Sequence, residues 1–436
     1  MCSINLQCKS FLNEIPCNFS QDTIFLTNNV LDTSAAIDSI TNNLPIQPTP
    51  FIGREAEVAR AAEKLANPET RLLVLTGPGG TGKTRLALQV AINVIEKFKD
   101  GVFYVPLESI SNADLVIGTI ARQLGIQDRS KRPVSEILKN YLKERQMLLV
   151  LDSFEHVMPA ASSVADLLAS GTGLKILVTS REILRLQSEC DFPVPSLSLP
   201  DREHEIDPEQ DPVTLLLQYE AVGLFVNRAA AIQPDFEMNG DNASVVGDIC
   251  RRLDGLPLAI ELAVARLRLL PPREMLKRLD KSLSFLIRGA KDRPSRQQTL
   301  RGTIDWSYDL LDKRARRIFR RLSVFAGGFT LNAAEDVCRP SNDMDYDVLD
   351  DIASLEEKSL LKREASQSDS RFAMLDTVRE YAEERLADSG EAEEVKRKHA
   401  EYFCAYAADV GPTVGGLNRM ASLNRLERDH NNFRLA

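Results

Sequence analysis

At 436 residues, with 43% hydrophobic and 27% charged side chains, the chain has the composition of a soluble globular protein with room for about two to four domains. No apolar run approaches the ~20 residues of a membrane-spanning helix, and a net charge of -9 gives no general attraction to nucleic acid or to an anionic membrane surface. Seven cysteines without a CxxC pair and only four histidines indicate neither zinc nor a disulfide framework, and Met1 to Ser10 lacks the basic start and apolar core of a secretory signal, so reducing cytoplasm is the expected compartment.

Residues 1–47 are rich in Asn, Ser and Thr and run into Pro45, Pro48 and Pro50, which reads as a poorly ordered extension and linker or as a segment that folds on a partner. Phe51-Ile52-Gly53-Arg54-Glu55 then opens an amphipathic helix that stops at Asn67-Pro68. Ile52, Gly53 and Arg54 are candidates for covering an adenine, the alternative being an ordinary capped surface helix.

The stretch RLLVLTGPGGTGKTR, Arg71 to Arg85, has the form of a phosphate-binding loop: an apolar strand, a glycine-rich turn, then Lys-Thr at a helix start. Gly77, Gly79, Gly80 and Gly82 leave backbone N–H groups bare for phosphate oxygens, and the helix N-terminus adds partial positive charge. Lys83 is expected to reach the β- and γ-phosphates and Thr84 to ligate magnesium, with Thr81 and Arg85 as further nucleotide contacts. Met147 to Asp152 is an apolar run closed by an acid, so Asp152 is the expected second magnesium ligand. Ser153 stands where an efficient ATPase usually has a second acid. Glu155 is either the group that polarises water or a solvated acid at a helix start. Lys175 to Arg181 is another buried strand, expected beside the P-loop strand, and Arg181 is placed to bridge γ-phosphate oxygens. The candidate catalytic set is therefore Lys83, Asp152, Glu155 and Arg181.

Beyond an acidic, Pro-bearing stretch from Pro200 to Pro212 the pattern turns helical. Pro257 opens one of these helices and either presses on a flat ring such as adenine or is a plain helix-start proline. Residues 293–385 read as three helices and a strand pair, the order of a winged helix. Arg314, Arg316, Arg317, Arg320 and Arg321 make a basic helix; a salt-bridged face is favoured over a DNA-phosphate patch because Asp305, Asp309 and Asp312 lie nearby.

In combination, FIGRE at 51–55, GPGGTGKT at 77–84, LLVLDSFEH at 148–156, ILVTSRE at 176–182, GLPLAIELA at 255–263 and MLDTVREYA at 374–382 resemble the STAND class of signal-transduction ATPases, and within it the NB-ARC-like bacterial regulators. The resemblance implies an α/β P-loop domain at 48–200, an all-α domain at 213–290, a winged helix at 293–385 and the start of a C-terminal helical region at 390–436. It also implies an ATP/ADP switch with Mg²⁺, closed with ADP and self-associating with ATP, serving signal transduction or transcriptional regulation through a protein partner or effector. The alternatives are a hydrolysis-driven machine and a DNA-binding regulator. The family's Met-His-Asp motif carries Leu375 in place of the histidine, leaving Asp376 as the polar nucleotide candidate. Such proteins usually carry an effector domain before the ATPase and a repeat sensor after it, so a fragment or a truncated product is also expected to account for the chain.

Overall fold

The computed structural model describes residues 40–110, 112–126, 132–200, 211–279, 300–340, 347–364, 370–410, 423 and 426–436. Most of the expected N-terminal extension, residues 201–210 of the Pro-bearing stretch and the border at 280–299 lie outside these.

The nucleotide-binding domain is built on five parallel strands, β1 (Leu72–Thr76), β2 (Val102–Pro106), β3 (Met147–Asp152), β4 (Leu174–Thr179) and β5 (Glu189–Pro193), in the order β2-β3-β4-β1-β5. Central strands covered on both faces must be apolar throughout, and β1 and β3 are buried at every position. Helices α1 (Glu55–Ala66) and α2 (Lys83–Asn93) cover one face through Val58, Leu65, Leu86 and Val90. The other is covered by α3 (Leu115–Gln123), α4 (Val134–Leu142) and α5 (Ala161–Ser170), through Val116, Ile120, Leu138, Leu142 and Val164. Register pairs Leu72 with Ile176 and Leu149 with Ile176, which brings the C-terminal ends of β1, β3 and β4 to one rim, the usual ligand side of such a sheet.

Residues 40–47, expected as linker, are tied to this domain by backbone and side-chain hydrogen bonds. Asn42 bridges Val102 in parallel, and the Asn43 side chain exchanges bonds of 2.6 and 3.0 Å with the Tyr104 backbone on edge strand β2.

The second domain comprises α6 (Pro212–Leu217), α7 (Glu220–Ile232), α8 (Ala243–Arg252), α9 (Pro257–Val264) and α10 (Pro272–Leu279). It shares one apolar core with the winged helix, in which Phe225, Ile249 and Ile260 continue into Ile318, Phe319 and Phe372. The winged helix follows α11 (Leu300–Asp309) and contains α12 (Lys313–Arg321), β6 (Phe329–Thr330), α13 (Leu331–Cys338), α14 (Val348–Glu357), β7 (Lys362–Glu364), β8 (Arg371–Ala373) and α15 (Asp376–Ser389). The sequence pattern shows the β7–β8 pair; the sheet has a third strand, with β6 antiparallel to β8 in the order β6-β8-β7. Then come α16 (Ala392–Val410) and α17 (His430–Leu435), and Asn432 ties the latter back to Ala326 and Gly328 at 2.7 and 2.9 Å.

The basic helix α12 is salt-bridged. Arg317, Arg320 and Arg321 all meet Glu391 at 2.8–2.9 Å, Arg316 meets Asp309 at 3.8 Å and Arg314 meets Asp351 at 4.0 Å. Arg321 is fully buried, and also donates to the Cys338 carbonyl at 3.1 Å. Burial pushes the Glu391 carboxyl up, but Arg321 and Arg320 outweigh it and hold it down at about 2. A carboxyl lowered in the folded state contributes stability that is complete above its unfolded pKa, here near the ordinary 4.5, and is lost as pH falls toward 2. Glu391→Gln is therefore expected to cost about 1.5–3 kcal/mol at neutral pH by chemical denaturation, and its deficit should shrink between pH ~4.5 and ~2. A deficit that stays constant through that window would contradict the assignment.

Candidate functional site

The P-loop is closed by its own backbone and by the second domain. Gly80 stands at φ 85, where a side chain is strained, and an added Cβ would lie 3.1 Å from the Leu258 Cβ. Leu258 N–H, in the first turn of α9, donates to the Gly80 carbonyl at 3.2 Å, so the Pro257 end of α9 sits against the loop. Thr81, buried, donates to the Pro78 carbonyl at 2.9 Å. Lys83 Nζ donates to the Gly77 and Pro78 carbonyls at 2.7 and 2.9 Å. Withdrawal from bulk water pushes this ammonium down to about 8, against the attraction of Glu155 and Asp152 and with Arg181 adding repulsion.

Asp152 is the hub at the end of β3. Its Oδ1 accepts from Thr84 Oγ1 at 2.7 Å and Thr179 Oγ1 at 2.6 Å, and its Oδ2 accepts from Tyr104 OH at 2.9 Å. Thr84 and Asp152, expected to share a magnesium ion, are therefore in direct contact, and the donor set of one hydroxyl and one carboxylate suits that ion. Thr179 also accepts from Ser153 N–H at 2.9 Å, which fixes the strand end. Neither Thr179, at the end of β4, nor Tyr104, in the middle of edge strand β2, is marked by a sequence motif, although each lies on a strand the pattern shows.

Arg181 and Glu155 are both buried and form an ion pair with Nε and Oε1 3.2 Å apart, so Glu155 is not a solvated acid. The same guanidinium donates to the Thr303 carbonyl at 3.1 Å and to the Ser307 hydroxyl, both on α11. It stands against the P-loop as well: an added Cβ on Gly79 would lie 3.3 Å from Arg181 Nη2 and 2.3 Å from Thr303 Cγ2. The residues that follow Arg181 continue the contact. Its carbonyl accepts from Ser359 Oγ at 2.6 Å, Glu182 pairs with Lys358 at 3.2 Å, and Arg185 pairs with Glu357. A small cavity between the P-loop and the winged helix is lined by Pro78, Gly79, Thr303, Leu375 and Thr377 among others.

On the other side of the loop, Arg54 N–H donates to Glu220 Oε1 at 2.6 Å and Arg54 Nη2 donates to the Pro195 carbonyl at 2.6 Å. Gly53 turns the chain at φ 71 beside Glu220, and Ile52 packs on the second domain's core. Arg54 is buried, and its Nη1 has no hydrogen-bond partner. A buried orphan guanidinium donor in the same charge cluster as Lys83, beside a bare-backbone loop, fits an anionic nucleotide.

Two sequence candidates are directed elsewhere. The Arg85 guanidinium binds Gln47 at 2.9 Å and the Thr49 and Pro50 carbonyls at 2.7 and 2.9 Å, fastening the segment before the domain. The Asp376 carboxylate is half-exposed and faces Arg379 at 3.7 Å, whereas its backbone N–H donates to Asp254.

The model of the NB-ARC domain matches residues 54–192, and that of a winged helix-turn-helix domain matches residues 311–387. A Mycobacterium tuberculosis protein named as an HTH-type transcriptional regulator is 40% identical over 369 residues, covering 84% of this chain, while this chain spans 39% of that protein's length. An uncharacterised protein of the same organism is 36% identical over 357 residues, covering 81% of this chain and 86% of its own length. A solved STAND protein with a tetratricopeptide repeat sensor from Pyrococcus horikoshii is 15% identical, covering 84% of this chain and 47% of its own, with a TM-score of 0.32.

A polyphosphate bound against Lys83 would favour its charged form, so binding above pH 8 is expected to take up a proton. ADP titration calorimetry near pH ~8.5, in buffers of differing ionisation enthalpy, should show uptake of roughly 0.7 proton, with affinity falling as pH rises further. Buffer-independent enthalpies would contradict this placement of Lys83.

Proposed function

The chain belongs to the NB-ARC group of STAND-class regulators with a winged helix, and on that premise we propose that it is a nucleotide-controlled switch, closed with ADP and opened by ATP. The observation that carries the reading is the position of Arg181, which joins Glu155 on the nucleotide-binding domain to Thr303 and Ser307 on α11. A guanidinium cannot be left unpaired in a buried site, so it changes partners rather than losing them. A γ-phosphate beyond Lys83 offers a competing, doubly charged partner, and drawing Arg181 toward it strips α11 of its anchor. The 182–185 segment, paired with Lys358 and Glu357, would shift with it.

Thr84 and Asp152 would hold magnesium, which when bound supplies positive charge to the phosphate oxygens. Turnover is expected to be slow. Ser153 presents no carboxylate, and Glu155 reaches water as a base only after giving up Arg181. A switch needs differential binding more than turnover, and slow hydrolysis suits one that resets once.

The DNA-binding alternative is weakened by α14, the third helix of the winged domain. It has no Lys or Arg, it carries Asp350, Asp351, Glu356 and Glu357, and its end is docked on Arg185. Such a face repels phosphate.

Arg181→Ala is the direct test. The parent protein is expected to expand when ADP is replaced by ATP, as read by hydrodynamic radius, and the variant is expected to give one radius with both nucleotides. A variant that responds to ATP as the parent does would remove Arg181 from the switch.

A further inference from the structure

Helix α15 begins without a cap of its own. Leu375 occupies the N-cap position, its side chain offers no acceptor, and no side-chain cap bond is made there. The first N–H groups of a helix need acceptors, and these are found 122 and 123 residues upstream, in the helical domain. Asp254 Oδ1 accepts from Asp376 N–H at 3.2 Å and Oδ2 from Thr377 N–H at 2.9 Å. The carboxylate is thus a helix cap supplied by another domain.

Asp254 is held for this task. It follows α8 at φ 54, a left-handed conformation unusual for a residue with a side chain, and its N–H is bonded to the Arg251 carbonyl at 2.9 Å. Beyond it Gly255 fits only as glycine, since an added Cβ would lie 2.5 Å from the Leu197 carbonyl oxygen. Burial pushes the Asp254 carboxyl up, against the two N–H bonds that favour its charge. Lys362 on β7 adds a favourable charge, and Arg252 pairs with Glu380 of α15 at 3.1 Å beside the cap. The corner from Asp254 to Leu258 therefore touches α15 at one end and the Gly80 carbonyl of the P-loop at the other.

We propose that Asp254 is the positioning residue that sets the preference of the closed form for ADP, by capping α15 only while the winged helix lies against the helical domain. The proposal rests on the switch reading above. Leu375 lines the cavity beside Pro78 and Gly79 but cannot hydrogen-bond a phosphate, so closure depends on a protein–protein cap at this point rather than on a side chain reaching the ligand. On opening, both N–H groups and the carboxylate exchange these bonds for water, and the cap's contribution to closure is lost.

Asp254→Gly and Asp254→Asn in the full chain test it, because both residues accept a left-handed backbone and remove the carboxylate. Two readouts are needed: the ratio of ADP to ATP affinity by calorimetry, and amide hydrogen exchange of α11, which does not touch Asp254 through any of the contacts described. The ratio is expected to fall by on the order of two- to thirtyfold, with exchange of α11 in the ADP complex rising by a similar factor. If the glycine variant does not fold, the asparagine variant, whose single amide oxygen can accept only one of the two N–H bonds, is expected to lower the ratio in the same direction at the small end of that range. A parental ratio, with faster exchange confined to the first turn of α15, would make Asp254 a local cap and overturn the proposal alone. Equal α11 exchange with ADP and ATP in the parent protein would overturn the switch reading, and this proposal with it.

Discussion

A guanidinium buried between the nucleotide-binding domain and α11 is the constraint on which the remaining structure depends. Arg181 has Glu155 on one side, α11 on the other and Gly79 of the P-loop beneath it. Burying such a charge without any partner is costly, which disfavours an intermediate position that has neither α11 nor an anion to meet it. In the proposed switch the favoured arrangements are those in which Arg181 faces either α11 or an anion on the loop. Packing follows from the same limit, since Thr303 reaches Gly79 only because that residue has no side chain.

Magnitudes bear on how the domains can be released. A charge-assisted hydrogen bond is worth about 1.5–3 kcal/mol, roughly ten- to hundredfold, whereas full reversal of a two-state equilibrium from 1:99 needs about 5.5 kcal/mol. One regained contact to a γ-phosphate is therefore too little if the other contacts stay as they are. The exposed Arg185–Glu357 pair adds little by itself and Lys358–Glu182 is half-buried, but both lie on the chain immediately after Arg181 and would be lost with it. The cap from Asp254 is a further polar contact, between the helical domain and the winged helix, beside the apolar core the two share.

Much of this was legible in the sequence where one physical demand fixes residue type over several positions. β1 and β3 are continuous apolar runs because both faces are covered, β4 departs only at Lys175 near its start, and each ends on the residues that form the rim. The two-residue strand β6 is too short to show a period. Residues 1–47 read as linker by composition, yet the backbone at Thr41–Asn42 bridges Val102 and the Asn43 side chain pairs with the Tyr104 backbone on the edge of β2. Arg85 was placed on the nucleotide by adjacency to Thr84, whereas the helix turns its side chain toward Gln47. Asp254 gave no signal at all, because a cap supplied across 122 residues has no local pattern, although it directly precedes a motif that was recognised. Glu155 left two readings open, and burial beside Arg181 removed the solvated one.

In the proposed switch, nucleotide identity sets the distance between the nucleotide-binding domain and the winged helix. Resonance energy transfer between dyes on the exposed positions Glu69 and Leu349 measures that distance most directly. The account predicts one short distance with ADP and a longer one with ATP and magnesium. The same distance distribution with both nucleotides, in a protein shown to bind both, would contradict it.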